Sequence, residues 1–292
     1  MAISEKAFAK VNISLNLTGE KRNNYHYLVS FIGFCDFYDT VTIEKSERFE
    51  YEILDKKFDF GSDDLILKTS NIFFESIGIT NPLPIKIILD KKIPIGAGLG
   101  GGSSDSAAVI HLLDKFLNLN LTLEKKISIA SRIGSDVPSC LISKPLILSG
   151  YDREIEELKG IMEKDILIVY PEINISTADI FNSVNLKETK VNDKIFLKNK
   201  IKNNLEYFNN NNNLKEKFSN DLEKIVFKKY SEVREIKDKI LESGAFFSSM
   251  TGSGSACFGF FKKDDILDGK KRLENLNSHW KVIQCKLMGS NN

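Results

Sequence analysis

Apolar and polar residues alternate from Ala7 to Leu17, with Val11, Ile13, Leu15 and Leu17 on one side and Lys10, Asn12, Ser14 and Asn16 on the other. A period of two predicts a strand with one apolar and one wet face. Thr18 to Asn24 is polar turn material. Beyond it, LVSFIGFCDF reads as a buried strand, and TVTIEK and FEYEIL as further strands. Asp63 and Asp64 open a helix through Phe73 and Phe74, and PIKIIL is another strand. A helix is expected from about Ser103 to Leu117, with Ala107, Ala108, Ile110, Leu112 and Leu113 as its core stripe. Thr122 caps a second helix that ends at Gly134.

The pattern changes near residue 150. Asp165–Tyr170 is a strand, and Ser176 caps a short helix containing Phe181. A Lys/Asn/Glu-rich helical stretch extends from about Asp193 to Ser243, closed by Gly244. The run Asn209 to Asn213 reads as a solvated loop within it. SSMTGSGSACFGFF is a glycine-rich turn into an apolar strand, followed by a helix (265–276) and a last strand (280–288). Strands and helices mixed without strict alternation predict an α+β protein of two lobes, divided as 1–150 and 151–292. No internal repeat is visible.

Composition changes this picture little. With 292 residues, 42% hydrophobic and 28% charged, the chain has the balance of a soluble globular protein. Its formal net charge of +1 gives no global pull towards nucleic acid. No apolar stretch reaches the length of a membrane span, and the start MAISEKAFAK has no apolar leader segment. Cys35, Cys140, Cys257 and Cys285 are far apart and read as reduced thiols, so a cytoplasmic setting is expected. No His/Cys/Asp cluster shows ligand spacing, and no structural metal is expected. His111 and His279 read as structural.

The informative stretch is Pro94-Ile95-Gly96-Ala97-Gly98-Leu99-Gly100-Gly101-Gly102-Ser103-Ser104. Glycine-exposed backbone N–H groups at a helix entrance make an anion site, to which the helix dipole and serine hydroxyls add. A phosphate chain is the natural guest. A Walker-type loop would need Gly-Lys-Ser/Thr at the helix start, but Gly102 is followed by Ser103 and Ser104. Gly96, Gly98 and Gly101 spell a dinucleotide fingerprint. Asp90 to Pro94 separates them from the strand, however, and no acidic strand end follows about 20 residues on. The catalytic motifs of a protein kinase are absent.

The loop instead resembles that of the GHMP small-molecule kinases. Further stretches carry the same resemblance in order: Ala9-Lys10-Val11-Asn12, Tyr25-His26, Gly134-Ser135-Asp136-Val137-Pro138, Asn220-Asp221-Leu222-Glu223 and Thr251-Gly252-Ser253-Gly254. The set is most similar to the branch acting on a cytidine-diphosphate-linked methylerythritol. Two departures stand out. Asn24 replaces the usual glycine before Tyr-His, and the last helix and strand are only loosely similar.

The resemblance implies a two-lobe GHMP kinase fold, its N-terminal lobe like the second domain of a small-subunit ribosomal protein and its C-terminal lobe α/β. Residues 1–150 would then bind ATP and 151–292 the acceptor. It implies transfer of phosphate from ATP, carried as Mg-ATP, to the 2-hydroxyl of the acceptor, in the non-mevalonate route to isoprenoids. Asp136 would be the general base, with a helix cap as its plainer role. Lys10 would hold that carboxylate ionised and offset phosphoryl charge. Tyr25 would stack on the cytosine, His26 hydrogen-bond its edge, and Phe181 with Thr177 supply the opposite side, with Asn12 nearby. Mg²⁺ would be held by phosphate oxygens and water, with Ser103 or Ser104 as a protein ligand. A homoserine or mevalonate kinase, or a non-catalytic nucleotide sensor of the same fold, remains open at this point, as does the oligomeric state.

Overall fold

The computed structural model describes residues 2–22, 25–55, 64–81, 83–150, 154–185, 193–211 and 213–291, with only the backbone of Arg22 and Tyr25. The chain splits into two compact units, and neither is a continuous stretch. The first comprises Met1–Ala9, Phe37–Ile95 and Gly100–Ser143; the second comprises Lys10–Asp36, Gly96–Leu99 and Lys144–Asn292. Two long strands account for the interleaving. β1 (Ile3–Arg22) starts in the first unit and ends in the second, and β2 (Tyr25–Lys45) does the reverse. A strand crossing a border leaves no break in pattern or composition. The last crossing, at 143/144, does coincide roughly with the change of pattern near residue 150.

In the first unit, β3 (Glu50–Ile53), α1 (Leu65–Ser76) and β4 (Ile85–Asp90) make a parallel crossover. β4 then pairs antiparallel with Thr40–Lys45 of β2. Ile85, Ile87 and Leu89 alternate into the core, as period two requires. Asp64 caps α1, its carboxylate accepting from the Ile66 N–H at 2.7 Å. α2 (Gly101–Phe116) packs against α1, α3 (Leu123–Ile133) and α4 (Val137–Ile142). Its small Ala107 and Ala108 let it be buried on several sides. Thr122 caps α3 through the Lys125 N–H, and Gly134 ends it.

In the second unit, Val29 to Ile32 of β2 pair with β5 (Leu146–Ser149), which pairs with β6 (Glu154–Glu157). β7 (Lys164–Tyr170) precedes α5 (Thr177–Asn182), capped by Ser176. The expected long helical stretch is broken into α6 (Lys194–Asn203), α7 (Leu205–Asn209), α8 (Leu214–Lys217), α9 (Glu223–Lys229) and α10 (Ser231–Glu242). β8 (Phe247–Met250), β9 (Cys257–Phe261), α11 (Ile266–Leu276) and β10 (Lys281–Leu287) complete the chain. The strand order β2-β10-β7-β9-β8 is antiparallel throughout. Val226, Val233, Ile236, Ile240, Leu273 and Trp280 form part of its apolar core.

The asparagine run joins α7 to α8, and Asn210, Asn211 and Asn213 are exposed, as in a solvated loop between helices, but it also makes specific contacts. Asn209 accepts from the Met162 N–H at 3.0 Å and donates to the Gly160 carbonyl at 2.8 Å, and Lys164 donates to Asn211. These amides satisfy the backbone of the turn before β7. Phe208, just before the run, is fully buried among Phe31, Phe218 and Phe260, with ring centroids 5.2–5.9 Å away. Phe208→Ala should therefore destabilise the protein by about 3–5 kcal/mol. Denaturant unfolding measures this, and a loss below about 1 kcal/mol would contradict the packing described.

Candidate active site

The glycine loop is divided between the units, 96–99 belonging to the second and 100–104 to the first. Gly96, Gly98 and Gly100 have φ of +68°, +79° and +68°. Ala97 and Leu99, between them, avoid that region and are buried. Left-handed glycines alternating with ordinary residues are the backbone signs of a nest, the kind of turn that exposes successive N–H groups. Gly100 is the N-cap of α2 and provides no side-chain hydrogen bond, and the first turn carries no acidic residue. Sixteen helical residues thus present an uncapped, electropositive end.

In the second unit, the loop is pinned by β1 and by the turn after β8. A Cβ at Gly98 would come within 2.4 Å of the Thr251 carbonyl oxygen and 2.9 Å of that of Gly254. The Thr251 hydroxyl donates to the Gly98 carbonyl at 3.1 Å and accepts from the Asn12 N–H at 3.0 Å. The Lys10 N–H donates to the Leu99 carbonyl, and the Ala256 N–H to that of Ala97. The Lys10 ammonium donates to Asn12 Oδ1 at 2.6 Å, while Asn12 Nδ2 donates to Ser30 at 2.8 Å.

The polar side of β1 is therefore not wet: Lys10, Asn12, Ser14 and Asn16 are all at most 8% exposed. Alternation revealed two faces, but polar partners bury the second as fully as apolar ones bury the first. The Asn-Asp-Leu-Glu motif is one source of those partners. Asn220 Nδ2 donates to the Met250 and Gly252 carbonyls, at 2.9 and 2.8 Å. Asp221 accepts from the Leu17 N–H, and Glu223 from the Met250 N–H.

His26 lies at the start of β2 and is 7% exposed. Its ring is 5.8 Å from that of Phe181 and tilted by 32°. Among the described residues neither ring nitrogen makes a well-formed hydrogen bond, although the Phe181 backbone comes close enough to favour the protonated ring. Burial lowers its pKa below the ordinary 6.5, and the Lys21 charge adds to the effect, with the Phe181 backbone opposing. Thr177, at the start of the helix that carries Phe181, shares a 2.8 Å hydrogen bond with Ser253. The side chain of Tyr25, and Asn24 entirely, lie outside the described residues.

In the first unit, Asp136 occupies the N-cap position of α4 but its carboxylate makes no capping bond. Its carbonyl oxygen accepts from the Ser139 hydroxyl at 2.7 Å. The plain role of a capping side chain is thus unfilled. The Ser104 hydroxyl donates to the Phe8 carbonyl at 2.6 Å, which commits its one proton, whereas Ser103 is half-buried on the first turn. Gly101 must be glycine for packing: a Cβ there would lie 2.8 Å from Lys91 Nζ and 2.9 Å from Ile93 Cγ2. His111 bonds the Leu141 carbonyl, as a structural residue would.

Lys91 belongs to a buried ion cluster with Asp39 and Asp105 that the sequence pattern did not reveal. These residues are 52 and 14 positions from Lys91, and no periodicity links them. Among the described residues no group of three or more His, Cys, Asp or Glu is placed to hold a metal ion. Among the described residues no helix is long and apolar enough to cross a membrane.

Thr251→Val would leave the Gly98 carbonyl and the Asn12 N–H unpaired, each costing about 1–3 kcal/mol. Thr251→Ser keeps both bonds. Thermal unfolding and turnover of the two variants should separate clearly, and equal behaviour would show that the hydroxyl does not tie these segments.

The GHMP kinases N terminal domain matches residues 64–144, and the GHMP kinases C terminal domain matches 196–278. A 4-diphosphocytidyl-2-C-methyl-D-erythritol kinase of Thermoanaerobacter pseudethanolicus is 34% identical over 286 residues, covering 96% of this chain and 94% of that one. The protein so named from Chlorobium limicola is 34% identical over 270 residues, covering 92% and 91%. A crystal structure of 4-(cytidine 5'-diphospho)-2C-methyl-D-erythritol kinase superposes with a TM-score of 0.83 at 23% identity, covering 99% and 100%. Homoserine kinase from Cytophaga hutchinsonii gives 0.73 at 17%, covering 100% and 96%, and so shares the fold. Two domain matches and near-full-length relatives above 30% identity converge, and the chain belongs to the GHMP kinases, in the 4-diphosphocytidyl-2-C-methyl-D-erythritol kinase family.

Proposed function

We infer that this chain is an ATP-dependent kinase that phosphorylates the 2-hydroxyl of 4-diphosphocytidyl-2-C-methyl-D-erythritol, on the non-mevalonate route to isoprenoid precursors. The observation that carries this reading is similarity along nearly the whole chain to kinases of that name. The fold alone does not separate it from homoserine or mevalonate kinases, which superpose with TM-scores of 0.73 and 0.76. His26 does favour the cytidine reading. A buried imidazole with no well-formed hydrogen bond among the described residues is costly unless a further group, such as a ligand, pairs it. Neutral imidazole offers one donor and one acceptor, which suits the mixed polar edge of a cytosine. Phe181, beside it, and Tyr25 are aromatic faces on which such a base would stack.

The loop from Pro94 to Ser104 would hold the ATP phosphates through its N–H groups and the end of α2. The uncapped helix start and the alternating backbone fit an anion there. Mg²⁺ would arrive with the nucleotide and neutralise charge on its phosphates. Ser103 is the better protein ligand for it, because Ser104 is buried at 2% exposure while Ser103 is only half-buried. The Asp136 carboxylate, not spent on capping, would take the proton of the acceptor hydroxyl as it attacks phosphorus. Lys10, buried and bonded to Asn12, would supply positive charge for the transferring group. Most of the acceleration then comes from positioning and charge, since phosphoryl transfer asks for little covalent help. A cytoplasmic setting suits four free, buried cysteines.

Purified protein given ATP and this acceptor should release one ADP per phosphorylated product. Asp136→Asn should keep ATP affinity within about twofold and lose roughly 10²–10⁴ in kcat. Near-normal turnover of that variant would remove Asp136 from the mechanism.

A pH series tests the base-reading role of His26. Its lowered pKa keeps the ring neutral at pH 7. As pH falls through that value, below 6.5, protonation converts the accepting nitrogen into a donor. The KM for the cytidine substrate should therefore be flat above neutrality and rise on acidification, while the KM for ATP does not follow. His26→Gln should abolish the rise. An acid-side rise that persists in the variant would assign the titration to another group.

A further inference from the structure

Lys91 follows β4 and is 5% exposed. Its ammonium donates to Asp39 Oδ2 on β2 and to Asp105 Oδ2 on α2, the latter at 2.8 Å. Asp39, fully buried, also accepts from the Ile93 N–H at 2.8 Å and from the Lys92 N–H through its other oxygen. Asp105 is 2% exposed, and its Oδ1 has no partner among the described residues. The ammonium also sits where a Cβ on Gly101 would be, as close as 2.8 Å.

Lys91 and Asp105 are 14 positions apart, and the whole glycine loop lies between them. Five glycines make that interval expensive to order, because glycine loses the most backbone freedom. A buried ion pair contributes little net stability, since dehydrating its charges offsets their attraction. Its geometric effect is larger. It fixes the turn at 91–93 through Asp39, the second turn of α2 through Asp105, and the approach to Gly101.

We propose that Lys91, held by Asp39 and Asp105, is a positioning residue that clamps the base of the glycine loop for the phosphates of ATP. This rests on the reading of that loop as the nucleotide site. The cluster joins β2, the turn after β4 and α2 through one ammonium and two carboxyls, all buried.

The test measures KM for ATP and for the acceptor at one neutral pH in wild type, Lys91→Met, Asp105→Leu and Asp105→Asn, with folding followed by circular dichroism. Lys91→Met removes the ammonium and should raise the ATP KM about tenfold or more, with the acceptor KM within about twofold. Asp105→Leu removes one of its holders and should act in the same direction, whereas Asp105→Asn keeps an acceptor oxygen of the same shape and should stay within about threefold of wild type. Should Lys91→Met not fold, the contrast between Asp105→Leu and Asp105→Asn decides alone. An ATP KM within about twofold of wild type in folded Lys91→Met or Asp105→Leu, or one that moves together with the acceptor KM, overturns the clamp. Wild type that binds no ATP overturns instead the kinase reading beneath it.

Discussion

No side chain fits where the first half of the glycine loop meets the turn after β8. The Thr251 and Gly254 carbonyls come within 2.4 and 2.9 Å of where a Cβ on Gly98 would stand. That contact is backbone on backbone, and the rest of the polar cluster in the second unit is arranged from it. Thr251 bonds both the loop and β1, β1 carries Lys10 and Asn12, and Asn220 holds the turn from beneath. The glycines are therefore not a flexible hinge. A loop with little intrinsic rigidity is stiffened by neighbours, as preorganised recognition of a phosphate chain requires.

Much of this was legible in the sequence where local rules govern. Thr122 and Ser176 cap helices as their residue types predict, and the glycines precede α2 with the backbone signs that only glycine adopts freely. The helix stripe of Ala107, Ala108, Ile110, Leu112 and Leu113 is buried. Where partners are distant in sequence, local rules ran out. Alternation in β1 could not tell a wet face from one buried under Thr251, Ser30 and Asp221. LVSFIGFCDF and TVTIEK are parts of one 21-residue strand, which crosses from one unit to the other without a breaker residue. Nothing in the sequence around Lys91 marks it out from its neighbour Lys92, yet it is buried against carboxylates from two other elements. The asparagine run is a solvated connection, as its composition suggests, but nothing in five identical residues tells that Asn209 also ties the turn before β7.

The candidate site shows the same division. The glycine-rich loop at the start of α2 is a local motif and is visible as one. The reading of His26 needs the fold, because its burial against Phe181 is a property of its surroundings and not of a Tyr-His dipeptide. Asp136 is intermediate: its place before Val137-Pro138 suggested a cap, and only the structure shows the carboxylate making no capping bond.

Specificity is where the account is most exposed, since the shared fold also serves homoserine and mevalonate kinases. The decisive measurement is kcat/KM, from coupled ADP release, for 4-diphosphocytidyl-2-C-methyl-D-erythritol against homoserine and mevalonate. Loss of a paired, stacked base should cost the latter two at least about 10³-fold. Comparable rates with either, or turnover of one of them alone, would contradict the cytidine assignment.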